Sequence, residues 1–276
     1  MRAGIILPGG TATEQLELAA VAEDHGWDGV FVWEATYGID AWGLLSAMAV
    51  RTSRVMLGTL LTPLPWRRPW KVASQVATLD QLSGGRAIVT VGLGALTDDL
   101  PSTGGEPTDL RERADLLDDG IDLMRALWEE RDGYQGSIYD VRFSRRDQLE
   151  VTRPVQERVP IWVVALWPRM KSMRRALRCD GVVSQFEGDE HQGSPDQVRA
   201  MRAWLAENGA RADIDVVAQG ETPFGDPEAA SREVAPWAEA GCTWWLETNW
   251  EMPHHTAERM GQVRARLLAG PPVPAG

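Results

Sequence analysis

The stretch VMLGTLLTPLPWRRPWKVASQVATLDQLSGGRAIVTVGLG, residues 55–94, decides the fold. Its first part, 55–61, is an apolar run with the length of a buried strand. Pro63 should end that strand because proline has no N–H to donate, and Pro69 stands where a first helical turn would begin. A second apolar run at 87–91 predicts another strand. The stretch therefore predicts a strand, a helix and a strand in succession.

The helix of this unit shows in the spacing of its apolar residues. Val72, Val76 and Leu79 recur at helical spacing, and Ser83-Gly84-Gly85 turns the chain before the next strand. Two strands joined by a helix are parallel neighbours in a right-handed crossover. Residues 55–94 thus predict one unit of a parallel α/β fold.

The same alternation continues on both sides of this unit. Capping signals at Thr11, Asp40, Ser194 and Asp226 precede helical patterns. Eight strand-helix units predict a single (β/α)8 barrel, an α/β fold, as one domain over residues 1–276. A hairpin insertion before strand five, within 134–151, is expected at the bottom of the barrel, the end from which the strands start, and a flexible tail at 269–276 completes the prediction. The predicted strands are 4–7, 30–33, 55–61, 87–91, 161–165, 181–186, 214–218 and 243–247.

Composition limits the classes of partner. The formal net charge of −12 disfavours nucleic acid and suits an enzyme that acts on a small molecule. No apolar run is long enough to span a membrane, and the first residues lack a signal-peptide pattern, so we expect a cytoplasmic protein. Cys179 and Cys242 have no metal-ligand spacing and are expected to be buried thiols, and no metal is predicted.

Catalytic groups of such a barrel come from the residues that follow each strand. Glu34 follows strand two, while His254 and His255 follow strand eight, and these three are the predicted catalytic residues. Other acid-base candidates at the same end are His191, Glu221 and Glu247. The alternative for each histidine is a solvated loop side chain. By contrast, Ser83-Gly84-Gly85-Arg86 precedes strand four, and we interpret it as structural.

Several sequence motifs of the chain resemble those of the bacterial luciferase-like oxidoreductases, which use FMN or the deazaflavin F420. The resemblance lies in GT-x-x-TP, R-x-P, A-x-x-x-ATLD-x-LSGGR and G-x-G, and it continues more loosely along nearly the whole chain. It implies a barrel, a bound FMN or F420, a homodimer, and a non-prolyl cis peptide within 59–61.

The resemblance also implies which residues hold the cofactor. Gly92 and Gly94 would let a flat ring approach the backbone, although a tight turn also favours glycine. Thr59 and Thr62 would form hydrogen bonds with the polar edge of the ring, and Trp167 would line the cofactor pocket. Arg169 and Lys171 would meet the phosphate at the start of helix five, or form an exposed basic turn.

The implied function is a flavin- or F420-dependent oxidoreductase, with monooxygenation of a small organic substrate as the predicted reaction. F420 would replace oxygen chemistry with hydride transfer. The alternative is a non-catalytic flavin- or ligand-binding barrel, because the histidine that the family often has after strand two is missing. An unrelated aldolase or metal-dependent hydrolase is a third interpretation, without supporting metal spacing.

Overall fold

The structure is a computed structural model that describes residues 1–96, 99–129, 132–143, 152–188, 193–223, 225–248 and 257–272. Its strands are β1 (Arg2–Ile6), β2 (Gly29–Val32), β3 (Met56–Pro63), β4 (Ala87–Gly92), β5 (Gly133–Gln135), β6 (Asp140–Arg142), β7 (Ile161–Trp167), β8 (Gly181–Phe186), β9 (Asp215–Gly220) and β10 (Trp244–Glu247). Its helices are α1 (Ala12–Asp24), α2 (Ala41–Arg51), α3 (Pro69–Ser83), α4 (Leu100–Thr103), α5 (Leu110–Trp128), α6 (Met170–Ala176), α7 (Pro195–Glu207), α8 (Pro227–Ala240) and α9 (Ala257–Leu268).

Eight of the strands close into a parallel barrel. Their order around the barrel is β1–β2–β3–β4–β7–β8–β9–β10, with β10 pairing back to β1. The predicted (β/α)8 architecture is therefore confirmed. Most helices begin where the sequence predicts, because Thr11 forms a capping box with Glu14, and the side chains of Asp40, Ser194 and Asp226 each accept a backbone N–H.

Aromatic side chains fill the amino-terminal part of the barrel. The Phe31 ring lies 5.4 Å from Trp162 and 6.0 Å from Trp244, centroid to centroid. Glycines on β1 and β2 make room for them: a Cβ at Gly4 or at Gly29 would lie 3.0 Å from the Phe31 ring. With this end packed, open volume remains at the carboxyl end, where barrel sites form.

Strand β3 runs two residues further than predicted. Its pairing with β4 is regular up to Thr59, shifts, and resumes at Thr62, so that Pro63 pairs with Gly92. Proline is accepted here because it is the last residue of the strand. The Leu60–Leu61 peptide is cis, within the range that the family resemblance implies, and Trp167–Pro168 is cis as well.

The predicted hairpin is formed by β5 and β6, but its position differs from the expected one at the bottom of the barrel. Its turn docks on the middle of α5, where the Asp119 carboxylate accepts the backbone N–H groups of residues 137–139 at 2.7–3.0 Å. Tyr139 then reaches Trp70 in the first turn of α3. The hairpin therefore lies on the outside of the barrel, against α5 and the first turn of α3. Residues 144–151 of the predicted insertion lie outside the described residues.

The word Ser83-Gly84-Gly85-Arg86 is structural, as interpreted. The buried Arg86 guanidinium donates to the carbonyls of Ala49 (3.0 Å), Thr52 (2.9 Å) and Val55 (2.7 Å), which ties β4 to the end of α2. At the chain's other end, Ala269 N bonds Ala265 O and Gly270 N bonds Leu267 O, while 273–276 lie outside the described residues. Within the described ranges, no helix is both long and apolar enough for a membrane span.

Candidate active site

A cavity of about 580 Å³ opens at the carboxyl ends of the barrel strands, the volume of a small-molecule site. Its floor consists of Leu60, Val164 and Val183, which project into the barrel from β3, β7 and β8. Polar groups enter at a few points. The described residues that line it are Trp33, Glu34, Ala35, Thr36, Tyr37, Leu60, Leu61, Pro63, Trp66, Gly94, Ala95, Leu100, Val164, Val183, Gln185 and Gln219.

Glu34 lines this cavity and is held in place from several sides. Its carboxylate forms an ion pair with Arg67, and its side chain is only 7% exposed. The other oxygen accepts from Trp42 Nε1 at 3.1 Å and from Thr62 Oγ1 at 2.7 Å. Burial lowers the pKa of Arg67, whose second nitrogen donates to Gln75. Glu34 is thus a fixed anion with its charge already paired.

Thr59 and Thr62 lie behind the cavity wall instead of in it. Both are fully buried, and Thr62 Oγ1 is 3.0 Å from Thr59 Oγ1. Thr59 in turn donates to Thr90 O at 3.2 Å. Their described contacts orient Glu34 and join β3 to β4. These contacts are all within the protein, so the hydrogen bond of Thr59 and Thr62 to a cofactor ring stays a prediction.

The two glycines at the end of β4 have different surroundings. Gly94 lines the cavity with φ +80°, and a Cβ there would lie 2.6 Å from the Trp66 ring. Gly92 is buried in β4, and its Cβ would lie 2.7 Å from Leu61 Cδ2. Each glycine therefore leaves space for a neighbouring side chain, Trp66 or Leu61, that itself lines the cavity.

The predicted phosphate residues follow β7. Arg169 is the N-cap of α6 and forms an ion pair with Glu187, with the two side chains 64% and 47% exposed. Lys171 is exposed on the same turn. Trp167 is half-buried against Trp204, with centroids 6.2 Å apart. None of the three lines the cavity, so the cofactor role of each stays a prediction. His254 and His255 lie outside the described residues.

The model of the luciferase-like monooxygenase family matches residues 2–271, nearly the whole chain. The chain belongs to this family. The predicted recognition, made from the words around residues 55–94, is therefore confirmed.

Curated relatives of this luciferase-like chain are named as F420-dependent enzymes. The F420-dependent glucose-6-phosphate dehydrogenase of Nakamurella multipartita is 29% identical over 238 residues, covering 82% of this chain and 68% of the relative. The enzyme of the same name from Segniliparus rotundus is 35% identical over 162 residues, 55% of this chain. The chain spans about half the length of this second relative, 47%.

Solved structures agree on the fold. An F420-dependent secondary alcohol dehydrogenase in complex with an F420-acetone adduct matches 97% of both chains, with a TM-score of 0.74 and 17% identity. The oxygenating constituent of 3,6-diketocamphane monooxygenase from Pseudomonas putida, in complex with FMN, matches all of both chains with a TM-score of 0.73 and 15% identity. The two cofactors predicted for this luciferase-like chain, FMN and F420, are thus the cofactors named in its relatives and structural neighbours.

Three cavity residues of this luciferase-like chain received no role from the sequence. Gln185 and Gln219 project from β8 and β9, and Tyr37 comes from the loop after β2. The sequence did carry a signal for the two glutamines. Each stands two residues after a buried valine of its strand, so it faces the same way as that valine. For Tyr37 the sequence held no such signal. The loop that follows β4 carries the short helix α4 and places Leu100 in the cavity wall.

Proposed function

We propose that this chain is an oxidoreductase that holds F420 or FMN in the cavity at the carboxyl end of its barrel and acts on a small organic substrate. The observation that carries the proposal is the cavity itself: an apolar floor from three strands, glycine at its edge and one anchored carboxylate. Family membership supports the same conclusion. Apolar walls with a few convergent polar groups are typical of cofactor sites.

The residues present fit a flat ring. Leu60, Val164 and Val183 offer it an apolar face, and Gly94 leaves the edge free of a side chain. When bound, F420 would supply hydride transfer, and FMN would supply hydride transfer or reaction with O₂. The protein would orient the ring, exclude water with Trp33 and Trp66, and hold a fixed negative charge at Glu34.

F420 is the cofactor we favour, because the relatives just compared are named F420-dependent. Monooxygenation, the reaction predicted from the sequence, applies if FMN binds instead. We keep Arg169 and Lys171 as the proposed phosphate residues, with Glu187 as the group that a phosphate would displace from Arg169. A cytoplasmic location and a single domain over 1–276 complete the proposal.

Titration of the purified protein with F420 and with FMN, followed by quenching of tryptophan fluorescence, tests this. We expect saturable binding, tighter for F420. Arg169→Ala should weaken it about tenfold, or about 1.4 kcal/mol. Arg68→Ala is the matched control, since Arg68 is an exposed arginine of the same barrel face that lies over Trp70. Absence of binding by both cofactors would overturn the proposed function.

A further inference from the structure

Basic residues are scarce at the carboxyl end of the barrel. The eight segments that follow the barrel strands (7–11, 33–40, 64–68, 93–108, 168–171, 187–194, 219–226 and 248–256) contain eleven Asp and Glu. They contain four Lys and Arg: Arg67, Arg68, Arg169 and Lys171. Six of the eight segments have none. These segments therefore hold seven more acidic than basic residues, and their basic residues are confined to the segments after β3 and β7.

Neither of the two basic pairs, Arg67 with Arg68 and Arg169 with Lys171, lines the cavity. Among its described lining residues there is no lysine and no arginine. Arg67 comes nearest, but it is paired with Glu34 and donates to Gln75 at 2.9 Å. Arg169 is paired with Glu187 outside the lining. A phosphate or carboxylate that entered the cavity would lose its hydration without gaining a cation, which is costly.

Two amide side chains supply the polar contact that the cavity offers instead. Strands β8 and β9 pair Val183 with Val217. Gln185 and Gln219 each lie two residues further along these strands, on the same face as the two valines. Both glutamines line the cavity one layer above its valine floor. Neither side-chain amide has a hydrogen-bond partner within the described ranges, and an amide both donates and accepts.

From this arrangement we propose that the cavity selects an uncharged, largely apolar compound with one oxygen function, a ketone or an alcohol, whose oxygen contacts Gln185 and Gln219. An amide N–H₂ donates to a carbonyl oxygen, and the amide oxygen accepts from a hydroxyl, so the pair accommodates either form. The apolar lining that the cofactor ring leaves free takes the hydrocarbon part. Sugar phosphates, substrates of the curated relatives by their names, are rejected.

This inference rests on the proposed function for its cavity, and it is tested by binding. Calorimetric titrations of the protein, with and without saturating F420, compare 2-acetylnaphthalene with 2-naphthoate, which has the same rings but a carboxylate, and with glucose 6-phosphate. We expect the ketone to bind at least tenfold more tightly than either anion. Tighter binding of an anion, or equal binding of all three, overturns the inference.

Variants separate this result from failure of the proposed function. Gln185→Leu and Gln219→Leu should each weaken ketone binding about fivefold or more, and any change in the affinity for F420 should be smaller than that. Gln135→Leu, at an exposed glutamine of the hairpin, is the control and should change neither. Gln185→Arg should shift preference toward 2-naphthoate. Ketone binding that survives both leucine variants contradicts the assignment, whereas loss of F420 binding by the parent contradicts only the proposed function.

Discussion

Glu34 shows how a single carboxylate can be fixed at the edge of an apolar cavity. The sequence nominated it as an acid-base group, and the structure gives it an arginine partner and two neutral donors. These partners hold the carboxylate in one orientation, and its four-residue network with Arg67, Trp42 and Thr62 connects β2, α2 and β3. The acid-base role of Glu34 stays a prediction.

We expect Glu34→Gln to destabilise the fold by about 2 kcal/mol, because it leaves the mostly buried Arg67 without its counter-ion. Urea unfolding followed by circular dichroism measures this. Glu187→Gln is the control: it breaks the exposed pair with Arg169 and should cost less than about 1 kcal/mol. Equal costs for the two variants would show that the Glu34–Arg67 pair contributes nothing beyond a surface contact.

Gly92→Ala tests the closeness of β4 to the cavity wall. The added Cβ would lie 2.7 Å from Leu61 Cδ2, so Leu61 must move, and it lines the cavity. We expect cofactor affinity to fall about tenfold, or about 1.4 kcal/mol, while circular dichroism stays that of the parent. Gly261→Ala, in α9 with nothing within 4 Å of the new Cβ, should leave cofactor binding unchanged. Unaltered affinity in Gly92→Ala would place the ring away from this wall.

At the scale of elements, the hairpin depends on one buried carboxylate. Burial alone would raise the pKa of Asp119, but hydrogen bonds from Tyr139 N, Tyr134 Oη, Ile138 N and Ser137 N together lower it. A lowered folded-state pKa stabilises the docked hairpin above the unfolded value of about 3.9, and this contribution is lost as the pH falls below it.

We therefore expect the amides of 137–139 to lose hydrogen-exchange protection as the pH falls below about 4, before the barrel unfolds. Asp119→Asn should show the same loss at neutral pH, with a local cost of about 2 kcal/mol for the charged hydrogen bonds. Asp140→Asn, on the exposed side of β6, serves as control. Protection that is identical in Asp119→Asn and the parent at neutral pH would refute this docking role.

Elements with strong local signals were predictable, and those set by tertiary contacts were not. In helix α5, Leu117, Ile121 and Met124 recur at helical spacing in the sequence, and all three are buried on the face that packs against the barrel. The path of the hairpin depends on Asp119, which in sequence is one of many acidic residues on a helix. Likewise, the sequence placed Glu34 at the active face but could not show Arg67, 33 positions later, as its partner.

For the cofactor residues, topology was predictable and orientation was not. The order of strands correctly placed residues 92 and 94 at the carboxyl end of β4. It could not show that Thr62 turns away from the cavity, because the shift of register after Thr59 reverses the simple alternation that would put Thr62 on the same face as Leu60.

On the scale of the whole molecule, the homodimer implied by the family resemblance needs a surface. Tryptophans supply little of it, because among described residues Trp70 is the one tryptophan with more than a third of its surface exposed. Aliphatic side chains offer a better candidate. Val50 on α2 is 71% exposed, Leu82 on the neighbouring α3 is 46% exposed, and Val155 is 60% exposed beside Gly85, just beyond α3.

We propose that a second copy of the chain covers this apolar patch, formed by Val50, Leu82 and Val155. Light scattering at micromolar concentration should then give twice the 30.5 kDa of one chain. Two aspartates in this contact would be buried without a partner for their charge, so the double variant Val50→Asp/Leu82→Asp should be monomeric. Leu110→Asp, at a side chain 62% exposed where α5 begins, should remain dimeric. A parent that is monomeric, or a control that dissociates as readily as the double variant, would show that this patch does not hold two chains together.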